Sequence, residues 1–224
     1  MEAAKNKARN YHLIVFDWDG TLLDSAGAIV ACMQAAAVDL GLPPPEEGAV
    51  RHVIGLGLHD ALSQALPQAP VSDYPRIAER YRHHYLSQDH ALPLFAGARE
   101  LVEELAAAGC LLGVATGKSR HGLNRALAAS GLGPLFHATR CADECHSKPA
   151  PDMLLELIAE LDAEPDRTLM IGDTTHDLQM ARNAGVGALA VGYGAHPRAA
   201  LQAEQPLGLF DQLPQLRDWL RRNG

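Results

Sequence analysis

Apolar residues along this chain follow two rhythms. From Tyr11 to Phe16 (YHLIVF) they run almost unbroken, in the bulky and β-branched types that suit a strand buried on both faces. From about Phe95 onward such runs alternate with segments whose apolar residues recur every three or four positions. Arg99 to Ala108 sets Leu101, Val102 and Leu105 on one helical face, and Gly109 suits the helix C-terminus. Cys110 to Thr116 (CLLGVAT) reads as a buried strand, Arg120 to Ser130 as a helix and Leu135 to Arg140 as a short strand. Pro151 suits the first turn of a further helix, with Leu154, Leu155, Ile158 and Leu161 facing inward. Thr168 to Gly172 is a strand, Thr175 to Ala184 a helix, and Gly187 to Gly192 the last strand. The alternation predicts an α/β fold, a doubly wound and mostly parallel sheet.

Between Ala26 and Leu92 the strand rhythm disappears. Ile29 to Leu40, Gly57 to Leu66 and Asp73 to Ser87 read as helices separated by the breakers PPPEEG and PQAPVSD. Tyr74, Ile77, Tyr81 and Tyr85 form an apolar stripe on the last of them. The stretch is far longer than a usual crossover. It predicts an all-helical cap at residues 24–92, inserted into a core made of 1–23 and 93–224.

Composition narrows the function classes. At 224 residues the chain suits one domain with a smaller inserted lobe, and 47% hydrophobic and 21% charged residues are ordinary for a globular protein. The net charge is -8, with four lysines against 15 arginines and no basic stripe, which argues against nucleic acid as partner. MEAAKNKARN lacks the apolar core of a signal peptide, and no apolar run is long enough to cross a bilayer. A cytoplasmic location without membrane contact is the expectation. Four cysteines imply no disulfide framework. Cys141, Cys145 and His146 are close in sequence but lack a partner pair at zinc-site spacing, so they read as free groups near a strand end.

The chemistry gathers at strand ends, where doubly wound sheets bind ligands. The first strand ends in Asp17-Trp18-Asp19-Gly20-Thr21, the second in Thr116-Gly117-Lys118, and the fourth in Asp173-Thr174-Thr175-His176-Asp177, with Ser147-Lys148-Pro149 before it. Carboxylates placed there repel one another and lose hydration, which a hard divalent cation bound by oxygen offsets. A carboxylate beside such a cation can attack phosphorus, and a second one can protonate the leaving oxygen and later activate water. A lysine and a hydroxyl would neutralise the equatorial phosphoryl oxygens. Asp24 and Ser25 read as caps of the first cap helix, and Gly20 as a backbone requirement of the turn. Lys118, His121 and His176 read as solvated side chains. Gly55-Leu56-Gly57 lacks the strand and spacing of a dinucleotide loop.

DWDGT, the strand-ending Thr116, Lys148 before proline, and GDTTHD resemble in order the four motifs of the haloacid dehalogenase superfamily of phosphatases, over essentially the whole chain. The phosphoglycolate phosphatase-like branch, with a helical cap between the first two motifs, is the most similar. The resemblance implies that Asp17 is the nucleophile and Asp19 the general acid and base. It implies Mg2+ held by Asp17, the main-chain carbonyl of Asp19, and Asp173, and phosphate bound by Thr116 and Lys148. Asp177 would support Lys148 or a metal-bound water. Dehalogenases of this superfamily lack the second acid, and Asp19 is present here. Phosphonatases use a cap lysine, yet no lysine lies between Ser25 and Gly117. Mutases grip a second phosphate with cap arginine and lysine; the lysine is missing, Leu58 to Asp60 lacks the expected arginine, and Arg51 could compensate only in part. Hydrolysis of a small phosphomonoester is therefore expected, phosphoglycolate leading, by a monomer. A sugar-phosphate mutase and a non-catalytic phosphate-binding regulatory protein are the alternatives. Arg51, His52, His59 and Arg76 to His84 are the candidate anion-facing groups of the cap.

Overall fold

In the structure, a computed structural model that describes residues 10–88 and 92–223, six strands form one parallel sheet. They are β1 (Leu13–Phe16), β2 (Leu111–Thr116), β3 (Ala138–Cys141), β4 (Thr168–Gly172), β5 (Gly187–Val191) and β6 (Gly208–Phe210), in the order β3-β2-β1-β4-β5-β6. The chain leaves β1 toward β2 and β3, then returns to the other side of β1 for β4. The order therefore reverses at β1, and its flanks β2 and β4 share the switch point where such sheets bind ligands. The opening segment 1–9, read above for a signal peptide, lies outside the described residues, as do 89–91 within the expected cap.

β1 is fully buried because its residues serve both faces. Ile14 and Phe16 join Leu101, Val102 and Leu105 of α5 (Ala98–Ala107) and Leu213, Leu216 and Leu220 of α10 (Leu213–Asn223). Leu13 and Val15 pack opposite, on Met153, Leu154 and Leu157 of α7 (Asp152–Glu160) and Met180 and Ala181 of α8 (Thr175–Ala184). α6 (Arg120–Ser130) and α9 (Arg198–Ala203) complete the flanks. Four helices lie between β1 and α5: α1 (Ala26–Asp39), α2 (Glu47–Val53), α3 (Leu58–Ala65) and α4 (Tyr74–Leu86). They bury an apolar cluster of their own around Met33, Val50, Leu62 and Ile77, to which Tyr74 and Tyr85 contribute as the stripe predicts. Among the described residues, no helix is long and apolar enough to cross a membrane.

Several expectations are corrected. The sheet continues past β5 into β6, and α10 follows with Leu213, Leu216 and Leu220 at helical spacing. α2 forms inside what reads as a breaker, starting at Glu47 as soon as the prolines end; Glu47 suits the helix N-terminus and pairs with Arg51 one turn on. β3 begins only at Ala138, because Pro134 seeds a 3-10 turn at Gly133–Leu135. On α7, Met153, Leu154, Leu157 and Ile158 face inward and Leu155 is exposed, one helical step round from that stripe.

Candidate active site

Each acid reaches the site by a local rule. Asp17 extends β1 by one residue, its N–H donating to Ile171 O at 2.9 Å, and the chain then turns as Leu22 and Leu23 N–H both return to Trp18 O. Gly20 sits in this turn at φ 82°, in the left-handed region, and a methyl group there would collide with the Asp173 carboxylate. A glycine is thus required twice over, by conformation and by space. Gly194 likewise leaves room for Asp173, and Gly172 for Asp177.

Asp173 follows β4 and is fixed by two donors, Thr21 Oγ1 and Ala195 N–H, each at 2.7 Å. Thr174 rather than Asp173 caps α8. The Asp177 N–H donates to Thr174 Oγ1 at 3.3 Å, and the Thr174 N–H donates back to Asp177 Oδ2 at 3.0 Å. This reciprocal cap fixes Asp177 so that Oδ1 meets Lys148 Nζ at 2.6 Å. Lys148 also lies 3.0 Å from Asp17 Oδ1, and all three side chains are wholly buried.

The electrostatics are unbalanced. Asp17, Asp173 and Asp177 bring carboxylate oxygens within 4.8 Å of one another, against the single ammonium of Lys148. Burial pushes the Asp17 carboxyl up to about 7; Lys148 opposes that rise, while Asp177 and Asp19 add to it. Asp173 is held well above the carboxylate range by burial and by Asp17 and Asp177, against the Ala195 and Thr21 donors. For Lys148, burial disfavours the charge, but Asp17 and Asp177 outweigh it and raise its pKa. Among the described residues Asp17 Oδ2 has no hydrogen-bond partner, and Oδ1 has Lys148 Nζ at 3.0 Å. Three carboxyl groups against one ammonium, with an Asp17 oxygen unpartnered at the centre, fit a divalent cation bound by oxygen, which would favour their ionised forms.

Asp19 stands apart from that trio. Its Oδ1 accepts from Ser25 Oγ at 2.7 Å, and Lys118 Nζ lies 3.1 Å from both Oδ1 and Oδ2. Ser25 therefore does not cap α1 through its side chain, as the sequence suggests, but serves Asp19. Lys118, expected in solvent, is largely buried here. Thr116, buried at the end of β2, shares with Asp17, Asp19, Lys118 and Ser147 the wall of a cavity of about 620 Å³. The structure thus places Asp17, Thr116, Lys148, Asp173 and Asp177 together around the ends of β1, β2 and β4, with Asp19 at the cavity side. His121 is exposed, as expected.

The four-helix segment closes the cavity from above. The Gly57 N–H donates to Ser147 Oγ at 2.8 Å, and Gly117 lies so close to the Gly55 and Leu56 backbone that a side chain there would not fit. His176, expected in solvent, is buried; its Nε2 lies 2.7 Å from His52 O, which also meets His196 Nε2 at 3.0 Å. Of the candidate anion-facing groups, Arg51 pairs with Glu47, and Arg80 and His84 with Asp39. His59 and Arg82 line the cavity. Cys141 and Cys145 are free, and His146 pairs with Asp152 at 2.8 Å.

Sequence reasoning missed Ser25, Lys118, Tyr85 and the Ala195 N–H. Thr21 was missed as well, though it carried a signal as the last residue of DWDGT, and Lys118 carried one by its place at the second strand end. The others depend on how distant segments meet.

Comparison with known proteins places this geometry. Residues 14–191 match the family described as haloacid dehalogenase-like hydrolase. The chain is 37% identical over 205 residues to "Probable phosphatase IndB" of Dickeya dadantii, covering 89% of each. It is 33% identical over 214 residues to the N-acetylmuramic acid 6-phosphate phosphatase of Pseudomonas aeruginosa, covering 89% of this chain and 93% of that one. The crystal structure of a predicted phosphoglycolate phosphatase from Haemophilus somnus superposes with a TM-score of 0.84 at 25% identity, over 95% of this chain and 99% of that one. With the family match spanning residues 14–191 and relatives above 30% identity covered over most of their length, the chain belongs to the haloacid dehalogenase-like hydrolases and is a phosphatase of the phosphoglycolate phosphatase-like kind.

Proposed function

We propose that the protein is a magnesium-dependent phosphomonoester hydrolase working through an aspartyl-phosphate on Asp17. The observation that carries this is the buried Asp17 carboxylate, its Oδ2 unpartnered among the described residues, facing a cavity and paired to Lys148. An Asp17 oxygen attacks phosphorus, the bond to the leaving oxygen breaks, and Asp19 gives that oxygen a proton. Water then attacks the same phosphorus, Asp19 takes its proton, and the bond to Asp17 breaks to release phosphate. Thr116 and Lys148 bind the phosphoryl oxygens, and Asp177 holds Lys148 in place. Asp17, the Asp19 main-chain carbonyl and Asp173 would hold Mg2+. When bound, it supplies positive charge that keeps the carboxylates ionised and draws charge from the phosphoryl group.

Residues 24–92 act in this reading as a cap over a core formed by 1–23 and 93–224, in a cytoplasmic monomer. The substrate is a small phosphorylated metabolite. Phosphoglycolate leads, in line with the name given to the structural neighbour, and N-acetylmuramic acid 6-phosphate follows from the named relative. Arg51, the cap arginine considered above for a second phosphate, pairs with Glu47 instead, which favours hydrolysis over mutase chemistry. The test is phosphate release from these two esters and from a sugar monophosphate, with and without chelator. Release is expected with magnesium alone, without a bisphosphate activator, and is expected to vanish on chelation. Full activity after exhaustive chelation, or isomerisation with little phosphate released, would contradict the proposal.

A further inference from the structure

Lys118 has no part in the chemistry above, yet its position is heavily determined. It lies two residues beyond Thr116, at the end of β2, and its side chain is largely buried. Its Nζ lies 3.1 Å from each oxygen of Asp19, 3.0 Å from the Tyr85 hydroxyl and 4.6 Å from the centre of the Tyr85 ring. Tyr85 belongs to α4, the last of the four helices between β1 and α5, and is itself buried. One ammonium therefore links a strand end of the core, the second acid and a helix of the cap.

The donors around Asp19 are unevenly shared. Oδ1 accepts from Ser25 Oγ at 2.7 Å, from Lys118 at 3.1 Å and from the Tyr85 hydroxyl at 3.4 Å. Among the described residues, Oδ2 has Lys118 alone. A carboxylate held this way cannot rotate freely, because rotation would break the short Ser25 bond and the two-oxygen contact with Lys118 together. The crowded oxygen is committed to the brace, which leaves Oδ2 as the one able to reach a leaving group.

We infer that Lys118, with Tyr85 and Ser25, is a positioning residue for the second acid: it fixes the Asp19 carboxylate and makes that orientation depend on α4 being docked. The inference rests on Asp19 being the general acid and base. Lys118 touches neither the phosphoryl group nor Asp17 in this role. Its loss should disturb proton delivery to the leaving oxygen and spare phosphate binding. Misplacing a catalytic group by about 1 Å costs on the order of 100-fold.

The test measures kcat/KM for a series of aryl and alkyl phosphates spanning leaving-group basicity. It compares wild type with Lys118→Met, Lys118→Arg and Tyr85→Phe, and also measures the inhibition constant of inorganic phosphate. Lys118→Met is expected to fall on the order of 10- to 100-fold on alkyl phosphates and only a few-fold on activated aryl phosphates, steepening the dependence on leaving group. Arginine should restore part of that loss. Tyr85→Phe, which keeps the ring under the ammonium, should show a weaker effect of the same kind. The phosphate inhibition constant should stay unchanged. In an Asp19→Asn background, Lys118→Met should add nothing to the leaving-group dependence.

An equal fall on all esters in a folded Lys118→Met protein would overturn the inference, as would a rise in the phosphate inhibition constant, which would make Lys118 a phosphate ligand. If Asp19→Asn itself leaves the leaving-group dependence unchanged, the reading of Asp19 fails, and this inference fails with it. If Asp19→Asn steepens the dependence and the Lys118 and Tyr85 variants do not, only the brace is wrong.

Discussion

At the scale of single residues, the site depends as much on missing atoms as on present ones. Gly20 holds φ 82° and leaves the volume that the Asp173 carboxylate fills. Gly20→Ala must adopt a strained backbone and displace Asp173, so a loss of roughly 1–3 kcal/mol is expected, with a large fall in kcat. The urea midpoint and the turnover of the purified variant check this; wild-type values for both would show that the turn has slack. The sequence makes the need for glycine here legible, since DWDGT sits at a strand end. It does not show that the space belongs to Asp173, 153 positions away. The same limit hides Lys118 and Ser25. Each reads as an ordinary polar residue near a turn, and only the approach of α4 and the first turn to β2 turns them into partners of Asp19.

At the scale of elements, the strongly periodic ones were readable. Arg120 to Ser130, Thr168 to Gly172 and Thr175 to Ala184 occupy the spans that their patterns predict, because propensity, capping and burial agree there. Short elements held by neighbours were not: β6 has three half-buried residues and forms by pairing with β5. The contact between α2 and the loops around β4 and β5 was equally hidden, and it carries a titratable group. His196 Nδ1 accepts from the Thr175 N–H at 3.0 Å, so its proton sits on Nε2, facing His52 O, with the rings of His52 and His176 alongside. Burial first, and His176 second, depress His196 to about 4 from the ordinary 6.5. The folded state thus refuses a proton that the unfolded chain accepts. The stability contributed by neutral His196 is present above pH 6.5 and is lost as pH falls through about 4. Asp17, raised from 3.8 to about 7 by burial, works in the opposite sense throughout this range in metal-free protein. The effect is therefore read as a difference from His196→Gln. The advantage of wild type over the variant in thermal melts should shrink steadily from pH 7 to pH 4. A constant difference would show that His196 is not held neutral.

At the scale of the whole molecule, function follows from a sheet whose order reverses at β1, bringing Asp17, Thr116 and Asp173 to one edge from three separate strands. Four helices with a core of their own lie over that edge. Both features were legible, because a helical insert of this length carries enough apolar residues to bury a core of its own, and parallel strands put their carboxyl ends on one side. The surplus of negative charge was legible only as crowding. That Asp177 joins Asp17 and Asp173 while the Asp19 carboxylate turns to Lys118 depends on how the folded segments meet. The central claim is that Asp17 carries the phosphoryl group, and trapping that adduct tests it most directly. Asp19→Asn should still be phosphorylated by an activated aryl phosphate, whose leaving group needs little protonation, but hydrolysis of the adduct should slow by roughly 10²- to 10⁴-fold. Rapid quenching and mass spectrometry should then find phosphate on the peptide containing Asp17, and none there in Asp17→Asn, whose kcat should fall by several orders of magnitude. Phosphate on His176 or Ser147 instead, or normal turnover by Asp17→Asn, would contradict the account.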